Sequence, residues 1–204
     1  AEGRVFGSFG ESAARFLTEF GPLRGEAAYV PTPGLSWDEK NYRGDAYKAY
    51  SWGANVVEVE VDPDTLVVRP VKATAVVEIG RAIHPVLAIG QIEGGTLQAL
   101  GYGYLEEILL DRGKYRNDRM ATYIIPTSLD APEFQVAIAE IPSERGPYGA
   151  KGLGELPFDG GAPAIVSAIN SALGVEACEI PLTPEKLLQL VKGRGELAPE
   201  TNRS

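Results

Sequence analysis

The clearest alternation of apolar and polar positions runs through Tyr47 to Val61, YKAYSWGANVVEVEV, where Val57, Val59 and Val61 fall on one face and Glu58 and Glu60 on the other. A period of two marks a strand with one face packed and the other wet. The β-branched run from Leu66 to Ile79 has strand composition as well. Asp62-Pro63-Asp64-Thr65 between the two is a turn sequence, so they are predicted as the arms of one hairpin. Glu58 and Glu60 sit two apart on one strand, which reads as a solvated face rather than a catalytic carboxylate pair. Leu105 to Leu110 and Tyr115 onward flank Asp111-Arg112-Gly113-Lys114 as a second hairpin, and Tyr123 to Pro126 and Phe134 to Ile141 add further strand.

Helical spacing appears at Glu11 to Phe20, which Gly21-Pro22 stops. Pro85 stands where a first-turn proline opens a helix, predicted to run to about Tyr104. Ala162 to Leu173 is a helix of small and apolar residues ended by Gly174, and Thr183 as N-cap with Pro184 at the first position starts a last helix running to Lys192-Gly193. Ala28 to Arg43 is rich in proline and glycine but holds Tyr29, Trp37 and Tyr42, so it is predicted as an irregular, extended connection that packs on a neighbour. Residues 194–204 are polar and predicted as a frayed tail, leaving 1–193 as the folded domain. Together these elements predict an α+β fold, with mixed sheets and β-hairpins packed against several helices.

Composition narrows the chemistry. With 204 residues, 44% of them hydrophobic, the chain can bury a sizeable core. A net charge of -9 argues against a nucleic-acid surface. No apolar run approaches the roughly 18 residues of a membrane span and no export signal opens the chain, so a cytoplasmic protein is expected. One cysteine, Cys178, allows no internal disulfide, and with one histidine, His84, no His/Cys metal site. Any metal chemistry must use a prosthetic group or a partner's ligands.

Two glycine-rich stretches stand out. In Gly146 to Phe158, GPYGAKGLGELPF, four of the ten residues before Glu155 are glycines. Glycine serves where a chain needs positive φ or must come close to a ligand. The stretch is either a surface loop with a solvated glutamate or a ligand-hugging loop carrying a general base. The predicted helix after Pro85 contains Gly90, Gly94, Gly95, Gly101 and Gly103, although glycine costs about 1 kcal/mol relative to alanine in a helix. Close approach of another backbone or of a cofactor would explain it. Gln91 and Gln98, seven apart, share a face and can hold a polar ligand or satisfy neighbouring backbone. His84 reads as a strand-to-helix junction residue.

Four blocks in order, GDAYKAYSWGANVVEVEVDPDT, EIGRAIHPVLAIGQIEGGTLQALGYGYLEE, YIIPTSLDAPEF and GPYGAKGLGELPFDGGAPAIVSAINSALG, resemble the C-terminal part of the molybdenum-binding subunit of the xanthine dehydrogenase/aldehyde oxidoreductase family of molybdenum hydroxylases. The resemblance implies an oxidoreductase that hydroxylates an aldehyde or N-heterocycle, such as a purine, with oxygen from water, using a molybdenum-molybdopterin cofactor with or without an attached nucleotide. It implies Glu155 as general base, which burial against Leu153 and Phe158 would tune. It also implies cofactor contacts from Gln91, from the backbone amides of Ala150, Lys151 and Gly152, and from Gly154, with no metal ligand from the chain. Three positions depart from the usual pattern: Glu78 where aspartate is common, His84 where asparagine is, and Leu156 where proline follows the base.

Large subunits of this family are longer, so the resemblance also implies partners. These are the rest of the molybdenum-binding subunit, completing a shared site, and subunits carrying iron–sulfur clusters and FAD. Ala28 to Tyr42 is a candidate for wrapping such a partner. The competing reading is a non-catalytic assembly module of the same ancestry. A module free of catalysis would have no physical reason to keep both the glycines and a poorly solvated carboxylate. A dinucleotide-binding loop is a poor fit, because no strand-GxGxxG-helix unit is present.

Overall fold

The computed structural model describes residues 7–28, 33–47 and 49–197. It divides into two compact units, residues 1–48 and 49–204, both crossed by the predicted 1–193 span.

In the first unit, helix α1 (Phe9–Phe20) carries a capping box: the Ser8 amide donates to Glu11 Oε2 at 2.9 Å, and the Ser8 hydroxyl accepts from the Glu11 amide. Gly21, at φ 73°, ends it. Part of the predicted irregular stretch is instead a small hairpin of β1 (Ser36–Asp38) and β2 (Arg43–Asp45). Asp38 builds its turn by accepting the amides of Lys40 and Asn41, and Trp37 packs edge-on against Tyr42 at 5.8 Å. Strands of three residues are too short to show alternation, and the turn holds no glycine. The wrapping segment 28–42 falls partly on residues 29–32, outside those described.

The second unit is built on a three-stranded sheet of order β3 (Trp52–Val61), β4 (Val68–Glu78), β7 (Glu133–Ala139). β3 and β4 pair antiparallel as predicted. Asp62 Oδ1 accepts the amides of Asp64 and Thr65, both at 2.9 Å, to close their turn. Val57 is buried while Glu58 and Glu60 are not, Glu60 pairing with Arg69. The register slips between Glu58 and Val59, opposite the stretch that contains Pro70. Proline cannot donate to a ladder and belongs at such irregularities. β7 joins β4 in parallel, with Lys72 opposite Glu133, so the sheet is mixed.

Between β4 and β7 lies α2 (Pro85–Tyr104). His84 caps it, Nδ1 accepting the Leu87 amide at 3.2 Å, in the junction role read for it. A short hairpin, β5 (Leu110–Asp111) with β6 (Lys114–Tyr115), follows at the predicted turn, but its arms are two residues each and the predicted arm from Leu105 is not strand before Leu110. Tyr123 to Pro126 is not a strand. No described strand lies beside it; Tyr123 instead donates its hydroxyl to Glu106 at 2.9 Å and Pro126 presses on Gly101 of α2. Two helices follow the glycine-rich loop: α3 (Leu156–Asp159), which the sequence reading missed, and α4 (Gly161–Leu173), stopped by Gly174 at φ 62°. α5 (Pro184–Leu197) continues four residues past the predicted start of the tail, and 198–204 lie outside the described residues.

α4 lies on β3 and α2, where Ile165 and Ile169 join Val57, Leu100, Leu182 and Leu187 in one buried cluster. A second cluster, of Ala75, Val77, Ile79, Ala88 and Ile92, joins the end of β4 to the start of α2. The glycine-rich loop is attached to this second cluster.

Candidate active site

β4 ends at Glu78, and the chain turns at Gly80 with φ +67°. There Gly80 pairs with Ala150 in an isolated bridge, bringing the loop 146–155 against the end of the sheet. The Lys151 amide donates to the Ile79 carbonyl at 2.8 Å, while the Gly149 carbonyl accepts from Arg81 at 2.8 Å and from Ser143 at 2.9 Å. A Cβ on Gly80 would overlap the Gly149 carbonyl oxygen, and one on Gly146 the Ala150 carbonyl oxygen. At these two positions close backbone approach requires glycine.

Lys151 turns its side chain inward. Its Nζ donates to Glu78 Oε2 at 2.6 Å and to the Tyr50 carbonyl at 2.9 Å, with only 15% of the lysine and 7% of the glutamate side chain exposed. The second oxygen, Glu78 Oε1, accepts the Gly80 amide at 2.7 Å. Burial pushes the Glu78 carboxyl up. The bond from Lys151, the Gly80 amide and the lysine's charge outweigh it, so the carboxyl titrates below its ordinary 4.5.

Four residues on, Glu155 stands as the first residue before α3, its carbonyl accepting the Phe158 amide at 2.9 Å. Pro157 in that helix is buried against Gly95 of α2, where a Cβ would lie 2.8 Å from it. Leu156, at the position where the related pattern has proline, packs with the β4–α2 cluster. Gln91 on α2 donates Nε2 to the Gly154 carbonyl at 2.8 Å and so holds the residue before Glu155. Between α2 and this segment opens a cavity of about 560 Å³, lined by Gln91, Gly94, Gly95 and Gln98 on one side and by Gly154, Glu155, Phe158 and Asp159 on the other. Tyr102, one turn beyond Gln98, stacks at a tilt on Phe158 at 5.8 Å.

Glu155, Gln91 and Gly154 therefore meet at one cavity, with Gln98 beside them. The amides of Ala150 and Lys151 do not reach it free: Ala150 donates to the Pro147 carbonyl at 3.0 Å and Lys151 to Ile79. Gly152 has the one amide of that trio with no bond among the described residues. Glu155 is exposed, and Leu153 packs into the β4–α2 cluster, so only Phe158 of the expected apolar wall shares the cavity with the carboxylate. The side chains of Lys151 and Glu78 were not foreseen as a pair; the replacement of a common aspartate by Glu78 was the only sign of it.

A family model described as a molybdopterin cofactor-binding domain matches residues 2–132, well over half of the chain. The chain belongs to the molybdopterin cofactor-binding domain family. Over 185 residues it is 36% identical to the probable hypoxanthine oxidase XdhD of Escherichia coli, a match that covers 89% of this chain and 18% of that protein. It is 33% identical over 183 residues to a probable xanthine dehydrogenase subunit of Bacillus subtilis, covering 88% of this chain and 23% of that one. The solved aldehyde oxidoreductase of Desulfovibrio gigas superposes with a TM-score of 0.70 at 30% identity, over 78% of this chain and 17% of that chain. The chain thus spans 18% to 23% of the length of the first two relatives. The expected α+β architecture is the one it shares with the solved enzyme.

The cavity's chemistry fits part of a molybdopterin. A Cβ built on Gly90, Gly94, Gly152 or Gly154 would meet nothing within 4 Å, and none of the four has positive φ. Neither conformation nor packing among the described residues calls for glycine there, and a ligand or a second backbone lying on this surface would. The Gln98 amide and the Gln91 amide oxygen make no bond among the described residues, and a pterin's amide-like edge needs such donors and acceptors. The lining holds two carboxylates, Glu155 and Asp159, and no cation, so this surface suits the neutral part of the group rather than its phosphate. No cluster of metal-ligating residues lies among the described residues, and no described helix is long and apolar enough to cross a membrane.

Proposed function

We propose that the chain is one part of a molybdenum hydroxylase that oxidatively hydroxylates an aldehyde or N-heterocycle such as a purine, with Glu155 as the general base at a molybdenum-pterin site shared with another chain. The observation that carries this is a carboxylate held at the rim of a cavity that the two glutamines of α2 also line, with Gly94 and Gly154 between them at positions packing does not explain. The names of the relatives, a probable hypoxanthine oxidase and a probable xanthine dehydrogenase, support a purine as the first substrate to try.

In this reading the substrate carbon gives up one proton and two electrons in total and gains the hydroxide left when water loses a proton, so that two protons and two electrons are released per turnover. The molybdenum-pterin group, when bound, supplies the redox centre that takes the electrons. Glu155 receives on a carboxylate oxygen the proton released from the attacking oxygen, the task of a general base. Gln91 positions that carboxylate through Gly154 and offers its amide oxygen to the cofactor, with Gln98 beside it and the Gly152 amide as a further donor. Phe158 gives the cavity an apolar side, and Tyr102 supports that ring from outside it. Partner chains carrying the rest of the molybdenum-binding subunit, iron–sulfur clusters and FAD, in a cytoplasmic complex, complete the assignment.

Glu155→Gln keeps the shape and removes the base. In the assembled enzyme, turnover should fall by about 10²- to 10⁴-fold with molybdenum content unchanged. Wild-type turnover would leave the chain as a non-catalytic assembly module.

A further inference from the structure

Glu155 is joined to the fold by a short arm with no polar side chain of its own. Between Lys151 and Glu155 lie only Gly152, Leu153 and Gly154, and the side chain of Leu153 is taken up in the β4–α2 cluster. On its C-terminal side Glu155 is held by α3, through Leu156 and the buried Pro157; on its N-terminal side the place of the carboxylate is set by what grips the arm. Gln91 grips one end, at Gly154. Lys151 is the other, fixed at three points: its amide to Ile79, and its Nζ to Glu78 and to the Tyr50 carbonyl at the entry to β3.

We infer that the buried Glu78–Lys151 pair is a positioning device for Glu155, anchoring the start of the arm that holds the carboxylate against the cavity. The inference rests on the assignment of Glu155 as base. An ion pair this buried gains little stability over apolar residues of the same volume, since both charges are desolvated. What it supplies is direction. Glu78 has both oxygens engaged, Oε2 by the ammonium and Oε1 by the Gly80 amide, so the carboxylate cannot rotate without losing one of them. The lysine in turn ties the loop to two strands at once, β4 through Glu78 and the start of β3 through Tyr50. An apolar side chain at 151 could fill the space, but the loop would then be held to the sheet end by its backbone bonds alone.

The test uses the assembled enzyme and separates stability from alignment. Lys151→Met alone leaves a buried carboxylate unpaired and can fail to fold, so the decisive variant is Glu78→Gln with Lys151→Met, which removes both charges together. Its turnover per molybdenum should drop about 10²-fold, the effect of a displacement near 1 Å, with KM within about twofold of wild type. Amide exchange at Ala150 and Lys151, the bonded amides at the start of the arm, should quicken about tenfold while exchange in β4 and α4 stays unchanged. Lys151→Arg, which keeps the charge and can reach Glu78, should recover most of the turnover. Wild-type exchange at Ala150 and Lys151 overturns the inference. So does near-wild-type turnover of the double variant in an enzyme that Glu155→Gln inactivates. If Glu155→Gln itself turns over normally, the assignment of the base has failed, and the exchange measurement alone decides whether the pair orders the arm.

Discussion

Gln91 donates its side-chain amide to the carbonyl of Gly154, 63 positions later in the chain, and so places a helix side chain in direct control of the residue preceding Glu155. Gln91→Ala removes both that bond and an amide facing the cavity. Two losses are expected together: lower molybdenum occupancy of the purified complex, and turnover per remaining molybdenum reduced about tenfold, as for loss of one positioning contact. Metal analysis alongside steady-state rates checks both. A full molybdenum complement with normal rates would reduce Gln91 to a structural residue.

The Glu78 carboxyl gives the protein an acid-sensitive contact. Its folded value lies below the ordinary 4.5, so the stabilisation is fully present above about pH 4.5 and disappears as pH falls through the lowered folded value. Urea midpoints measured from pH 7 to pH 3 should show a steeper acid limb for the wild type than for Glu78→Gln with Lys151→Met. Glu78→Gln alone should lose about 3–5 kcal/mol at pH 7, because Lys151 is then left buried without its partner. The double variant should regain much of that loss. Parallel acid limbs would show that the pair contributes nothing pH-dependent.

Glycines of α2 fall into two classes with opposite expected outcomes. A Cβ at Gly103 would sit 2.6 Å from Ile165 Cγ2 and 3.3 Å from the Ala162 backbone, so Gly103→Ala should destabilise the chain by about 1–3 kcal/mol through overpacking against α4. Gly90 and Gly94 have nothing within 4 Å, and alanine there should stabilise the chain by itself by up to about 1 kcal/mol at each site, from helix propensity. In the assembled enzyme the same two changes should lower cofactor content. Thermal melts of the chain alone and molybdenum analysis of the complex read the two effects separately; unchanged molybdenum would mean that nothing approaches that face.

Local chemistry made much of the fold legible. The alternation at Val57, Val59 and Val61 was enough for β3, Pro85 for the start of α2, Thr183-Pro184 for that of α5 and Gly174 for the end of α4. The parallel pairing of β4 with β7 was not legible, because it joins residues 61 apart, as at Lys72 and Glu133, and leaves no period along the chain. The site divides the same way. Glycine density and the acid that follows pointed to Glu155, and the shared face of Gln91 and Gln98 pointed to the cavity. The inward turn of Lys151, and the spent amides of Ala150 and Lys151, depend on what Glu78, Ile79 and Pro147 happen to offer, which only the folded chain reveals. The open glycines could not be told from the packed ones by sequence, since Gly94 and Gly95 are neighbours with opposite reasons for being there.

Three side-chain bonds of the site join distant parts of the chain: 63 positions from Gln91 to Gly154, 73 from Glu78 to Lys151 and 101 from Tyr50 to Lys151. Closing loops of that size before any local reward is slow, so the hairpin of β3 with β4 and the helices on it must exist before the arm can settle. The carboxylate is thus expected to settle late in folding and to be lost early on partial unfolding. A peptide copied from the glycine-rich loop would carry all of its residues and none of its geometry.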